Sequence, residues 1–151
     1  MKIYIDADAC PVKNETYRVA DRYSIPVCVV ANSWMRTPES GKVALHVVEG
    51  DFDAADDWIA DHAGSGDIVI TGDILLASRC IENGTRVLGT RGKEFTEAGI
   101  GEAVAMRALK DQLRQMGEIT GGPPPMGKKN RSRFLSALDR IVNSILNEQD
   151  K

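Results

Sequence analysis

Two stretches of this chain end an apolar strand in aspartate: Ile3-Tyr4-Ile5-Asp6-Ala7-Asp8 and Ile68-Val69-Ile70-Thr71-Gly72-Asp73. Carboxylates brought together at the ends of buried strands repel one another and lose hydration. A chain that gathers them there usually offsets the cost with a cation. The segment Asp53-Ala54-Ala55-Asp56-Asp57-Trp58 adds three more acids in a helical pattern, with Asp53 one turn from both Asp56 and Asp57. A few carboxylates completed by water suit Mg2+ or Mn2+ better than zinc, so the expected cofactor is one of those two ions. Each acid also has a plainer use. Asp8 and Asp73 could cap the helices that follow them, and Asp53 is a good N-cap ahead of Ala54 and Ala55.

Other polar groups fall at the same ends of predicted strands. Asn32 and Ser33 follow the second strand, Thr71 precedes Asp73, and Arg91 with Lys93 follow the fifth. Small polar groups and cations there could hold phosphate oxygens or ordered water. Lys128, Lys129, Arg131 and Arg133 crowd into six positions near the start of the last helix, where cations oppose the helix dipole; a phosphate contact is the expected use. Cys10 lies near the acids, but no histidine partner is evident and it reads as a small buried group.

The elements that must position these groups follow from periodicity. Short Val- and Ile-rich runs at 2–5, 27–30, 43–48, 68–70 and 86–88 alternate with longer helical patterns. That rhythm predicts an α/β protein whose parallel sheet is covered by helices on both faces. The first helix follows Pro11 and stops near Ser24-Ile25-Pro26; further helices are expected over about 53–62, 73–82, 101–116 and 132–146. Gly64 and Gly84 are the expected closures of the second and third. Gly121-Gly122-Pro123-Pro124-Pro125 is read as an ordered loop returning the last helix to the body, so 1–151 is one domain with the loop and helix of about 117–147 packed on it. In such a sheet ligands bind beyond the carboxyl ends of the strands, at the point where strand order reverses. Asp6, Asp8 and Asp73 meet there only if the first and fourth strands are neighbours.

At 151 residues, with 42% apolar and 27% charged residues, the chain has an ordinary globular composition. No apolar run approaches the roughly 20 residues that span a bilayer, and the opening residues are too acidic for an export signal, so a cytoplasmic protein without a membrane partner is expected. Three unpaired-looking cysteines, Cys10, Cys28 and Cys80, argue for reduced thiols without disulfides or a zinc cluster. The histidines, His46 and His62, read as structural. The net charge of −3 argues mildly against tight, non-specific nucleic-acid binding.

Several strings taken together resemble the bacterial YaiI/YqxD family: Asp6-Ala7-Asp8-Ala9-Cys10-Pro11-Val12-Lys13, Val30-Ala31-Asn32-Ser33, Phe52-Asp53-Ala54-Ala55-Asp56-Asp57-Trp58-Ile59, Gly117 through Pro125, and Arg131-Ser132-Arg133-Phe134. The likeness spans nearly the whole chain. It departs at Gly72 and Leu75, where members usually carry Ala and Pro, and at Gly89-Thr90, where Asn-Pro is usual. The family in turn looks like a compact relative of PIN and NYN nuclease domains. That resemblance implies a three-layer, PIN-like fold with a five-stranded parallel sheet in the order 3-2-1-4-5. It also implies metal binding by Asp6, Asp53 or Asp57, and Asp73, with Asp8 as a neighbour. The leading expectation is a metal-dependent nuclease, acting on RNA rather than DNA, in which Asp6, Asp8, Asp57 and Asp73 serve catalysis. Asn32, Ser33, Thr71, Arg91, Lys128, Lys129, Arg131 and Arg133 would hold substrate. Two alternatives stay open: a haloacid-dehalogenase-like phosphatase using the Asp6/Asp8 pair, or a non-catalytic RNA- or protein-binding module.

Overall fold

The computed structural model describes residues 1–51, 53–118 and 125–149. Its strands are β1 (Ile3–Asp6), β2 (Val27–Ala31), β3 (Val43–Val47), β4 (Ile68–Ile70), β5 (Arg86–Leu88) and β6 (Glu94–Phe95). They form one six-stranded sheet in the order β3-β2-β1-β4-β5-β6. The first five are parallel in the expected order. The sixth strand is a correction to the expected five: it returns antiparallel on β5, pairing Val87 with Phe95 and Leu88 with Glu94. The Arg86 guanidinium fastens this hairpin by donating to Glu94 Oε1 over 2.6 Å.

Because successive strand residues point to opposite faces, each face has its own core. Ile3, Ile5, Val27, Val29, Ile68, Ile70 and Leu88 pack with α1 (Lys13–Arg22) and α5 (Lys128–Gln149), whose Val19, Phe134, Leu138, Ile141 and Val142 are buried. On the other face Tyr4, Val30, Val69 and Val87 pack with α2 (Ala54–His62) and α3 (Ile74–Glu82) through Ala55, Ile59, Leu76, Ala77 and Cys80. The sheet is thus flanked by helices on both faces. The remaining helix, α4 (Glu97–Gln115), lies against α3 with no fully buried residue.

The ends of the elements have local causes. Thr96 caps α4 by accepting the Gly99 N–H, which starts that helix four residues ahead of the expected Gly101. Gly84, at φ +81°, closes α3 as expected, whereas α2 ends on an extended Ala63 and the left-handed turn falls at Gly66 rather than Gly64. The last helix begins at Lys128, ahead of the expected Ser132. The glycine–proline break lies outside the described residues except for Pro125. Arg131 ties α5 to α1, donating to Pro11 O over 2.8 Å and to the Glu15 carboxylate over 3.1 Å. Among the described residues no helix is long and apolar enough to cross a membrane, and Cys10, Cys28 and Cys80 are all free thiols.

Candidate functional site

Strand order reverses between β1 and β4, and the crevice expected there is present. A cleft of about 560 Å³ is lined by Asp6, Asp8 and Ala9 from the end of β1, by Asn32 after β2, and by Gly72 and Asp73 after β4. Helix α2 contributes Ala55 and Asp56, and α4 contributes Arg107. Four carboxylates from three separate segments therefore face one space.

Each acid is held by its own local structure. A single turn of 3-10 helix over Ala7–Ala9 swings Asp8 around the end of β1, and Lys13 Nζ pins that turn by donating to the carbonyls of Ala7 and Cys10. Asp8 does not cap α1, whose N-cap position is Val12; its carboxylate instead accepts the Asn32 N–H over 3.1 Å. Thr71, fully buried, donates its hydroxyl to Asp6 Oδ2 over 2.8 Å and accepts the Asp73 N–H over 3.0 Å. Asp73 is the cap of α3, accepting the N–H of Leu75 over 2.9 Å. It both starts the helix and lines the cleft.

Electrostatics shows the cost of this crowding. Burial raises the proton affinity of Asp6; the Thr71 hydroxyl opposes that, while the charges of Asp73 and Asp8 add to it. Asp56 is pushed up to about 7, first by burial, then by the charges of Asp6 and Asp73, a hydrogen bond with Asp73, and the charge of Asp53. Asp56 therefore holds a proton far more readily near neutral pH than a free carboxylate does.

The other expected site residues divide. Asp57 turns away from the cleft and pairs with Arg79 over 2.7 Å; its neighbour Asp56 takes the inward place. Asp53 occupies the N-cap of α2, exposed and without a side-chain cap bond. Ser33 is exposed just beyond Asn32, and Thr71 acts beneath the cleft on Asp6. Arg91 lies half-buried in the turn after β5. Next to it, Gly92 sits at φ +91° so close to α5 that an added Cβ would come within 2.7 Å of the Arg133 backbone. Lys128, Lys129 and Arg133 are exposed at the start of α5, whereas Arg131 is committed to Pro11 and Glu15. Cys10 is buried, which pushes its thiol up and away from nucleophilic use.

Two charged lining residues, Asp56 and Arg107, were not among the expected site residues. Asp56 lies one turn before the buried Ile59 and Ala60, but Asp57 also lies three residues before Ala60, so the local pattern does not separate them. Arg107 left no signal, since it comes from a helix without chemistry of its own.

Among the described residues, no group of three or more Asp, Glu, His or Cys side chains stands together in a way that could hold a metal ion. The donor chemistry of the cleft is nonetheless of the kind a hard divalent ion takes. Its groups are carboxylate oxygens, burial and then the neighbouring acidic charges raise Asp6 and Asp56, and Mg2+ is commonly held by one or two carboxylates with water completing the shell.

Fold and cleft together define a doubly wound α/β protein with an acidic crevice at its strand-order reversal. The chain belongs to the family described as "Uncharacterized BCR, YaiI/YqxD family", whose model matches residues 4–144. It is 51% identical to a UPF0178 protein of Rhodospirillum centenum, over 96% of this chain and 97% of that one. A UPF0178 protein of Brucella ovis is 54% identical, over 93% of this chain and 88% of the relative. One of a Caulobacter species is 53% identical, over 93% of each. No solved structure gives a significant match.

Proposed function

We propose that this protein has a PIN-like fold and is a metal-dependent nuclease that hydrolyses phosphodiester bonds in RNA. The observation that carries the reading is the meeting of Asp6, Asp8, Asp56 and Asp73 in one cleft at the carboxyl ends of β1 and β4. Asp6 and Asp73, with Asp56 in the place expected of Asp53 or Asp57, would hold Mg2+ or Mn2+. A divalent ion bound there would activate water and neutralise charge on the phosphate.

The chain's own groups do the remaining work. Thr71 fixes the Asp6 carboxylate from below, and the Asn32 N–H fixes Asp8 at the rim. Arg107 supplies a positive charge to a phosphate oxygen entering a space otherwise lined by acids. Gly72 presents no side chain at the mouth, which leaves room for a backbone or sugar to approach Asp73. Lys128, Lys129 and Arg133 would hold flanking phosphates. The start of α5 lies at the same edge of the sheet, because Arg131 reaches Pro11 and Gly92 abuts Arg133.

The test is incubation of end-labelled single-stranded RNA with purified protein and Mn2+, beside Asp6→Asn and Asp73→Asn. Cleavage by the parent protein alone supports the reading. RNA that is retained but uncut under every divalent ion refutes hydrolysis, and a phosphate-mimic adduct on Asp6 would turn it to phosphatase chemistry.

A further inference from the structure

Trp34 is three-quarters exposed, although an indole is among the side chains that gain most from burial. Its place in the chain explains the exposure. Met35, the next residue, packs against the core on the α1/α5 side, which pins the loop after β2 and leaves Trp34 to the solvent. Two residues earlier, Asn32 lines the acidic cleft, so the Trp34 backbone lies within about 7 Å of that rim. Trp58, the other tryptophan, is by contrast half-buried and stacked with His46 at 4.1 Å and His62 at 3.8 Å.

We propose that Trp34 is a stacking platform for an unpaired base of a single-stranded RNA whose phosphate lies in the cleft near Arg107. This rests on the nuclease reading above and specifies its substrate as single-stranded. An exposed aromatic side chain with cations nearby is the combination by which proteins hold unpaired nucleotides without reading their sequence. The surroundings favour RNA over a protein partner. The residues flanking Trp34, Asn32, Ser33 and Arg36, are polar and exposed, so the indole is not part of an apolar patch in the local sequence. Arg36 adds a cation two positions beyond the ring, and Arg107 is the cation lining the cleft among the described residues. Duplex RNA keeps its bases stacked on one another and offers no free face to the indole.

The test uses the full chain with Ca2+ replacing Mn2+, to separate binding from cutting, and a short oligoadenylate as probe. Binding is read by anisotropy of a labelled strand and by quenching of tryptophan emission on an unlabelled one. Trp34→Ala is expected to weaken binding about 5- to 100-fold and to abolish the quench, while Trp34→Phe recovers most of the affinity. A duplex of the same length is expected to bind weakly and without quenching. Unchanged affinity in Trp34→Ala overturns the proposal, as does failure of the parent protein to bind the strand. So does a dimer, seen by sedimentation, that Trp34→Ala dissolves, since the indole would then be a protein contact. Quenching and binding without cleavage in Mn2+ would uphold the platform and remove the nuclease. Cleavage with unaltered binding in Trp34→Ala would do the reverse.

Discussion

The hydroxyl of Thr71 donates to the carboxylate of Asp6 over 2.8 Å, joining the ends of two adjacent parallel strands that are 65 positions apart in sequence. The same oxygen accepts the Asp73 N–H. One buried side chain therefore sets the positions of both acids that flank the strand-order reversal.

Thr71→Val keeps the shape and removes that oxygen. The Asp73 N–H loses its acceptor and Asp6 loses a donor, so stability is expected to fall by about 1–3 kcal/mol. Urea unfolding measures this. A parallel loss of RNA cleavage without loss of RNA binding would place Thr71 as a positioning residue.

Stability should depend on pH through Asp56. Its folded pKa, about 7, lies above the ordinary value of 3.8. The folded state therefore holds a proton that the unfolded chain has already released. That advantage is complete below about pH 4 and lost as pH rises through 7. Asp56→Asn, which cannot ionise, is expected to raise Tm at pH 8 and to leave it nearly unchanged at pH 4. Thermal melts across this range measure it; an Asn variant that melts lower at pH 8 would contradict the electrostatics.

Arg131 and Lys129 should separate cleanly. Arg131→Ala leaves Glu15, nearly buried, without its cation, at a cost of about 1–2 kcal/mol to be read from urea midpoints. Lys129→Ala, on the exposed start of α5, should leave stability unchanged and weaken RNA binding, most visibly at low salt.

Gly92→Ala is expected to destabilise by more than about 2 kcal/mol, again by urea unfolding. The residue is left-handed at φ +91°, and the new Cβ would meet backbone, not a side chain able to move aside.

Much of this arrangement was legible before any coordinates. Val- and Ile-rich runs located the five parallel strands; β1, β2 and β4 read as continuous apolar sequence because they are buried on both faces, whereas β3, at the edge and partly exposed, was found by its Val and Leu content. The strand-end rule then placed Asp6, Asp8 and Asp73 at one edge, with Asn32 beside them. The antiparallel β6 escaped because two residues, Glu94 and Phe95, show no periodicity. Sequence pointed to Asp53 or Asp57 on α2 whereas Asp56 lines the cleft, because a group of neighbouring aspartates does not reveal helix rotation. That rotation is fixed by burial of Ala55, Ile59 and Ala60. Arg131 reads as a phosphate ligand by charge, yet Glu15, 116 positions away, claims it. Such tertiary pairings leave no local pattern in sequence.

The most direct measurement of the central claim is anomalous diffraction from a crystal soaked in Mn2+ at pH 8, beside the doubly substituted Asp6→Asn, Asp73→Asn protein. The expected result is a peak within coordinating distance of the Asp6 and Asp73 carboxylates that is absent from the double variant. A cleft without manganese in the parent crystal, or with manganese equally in both, would contradict it.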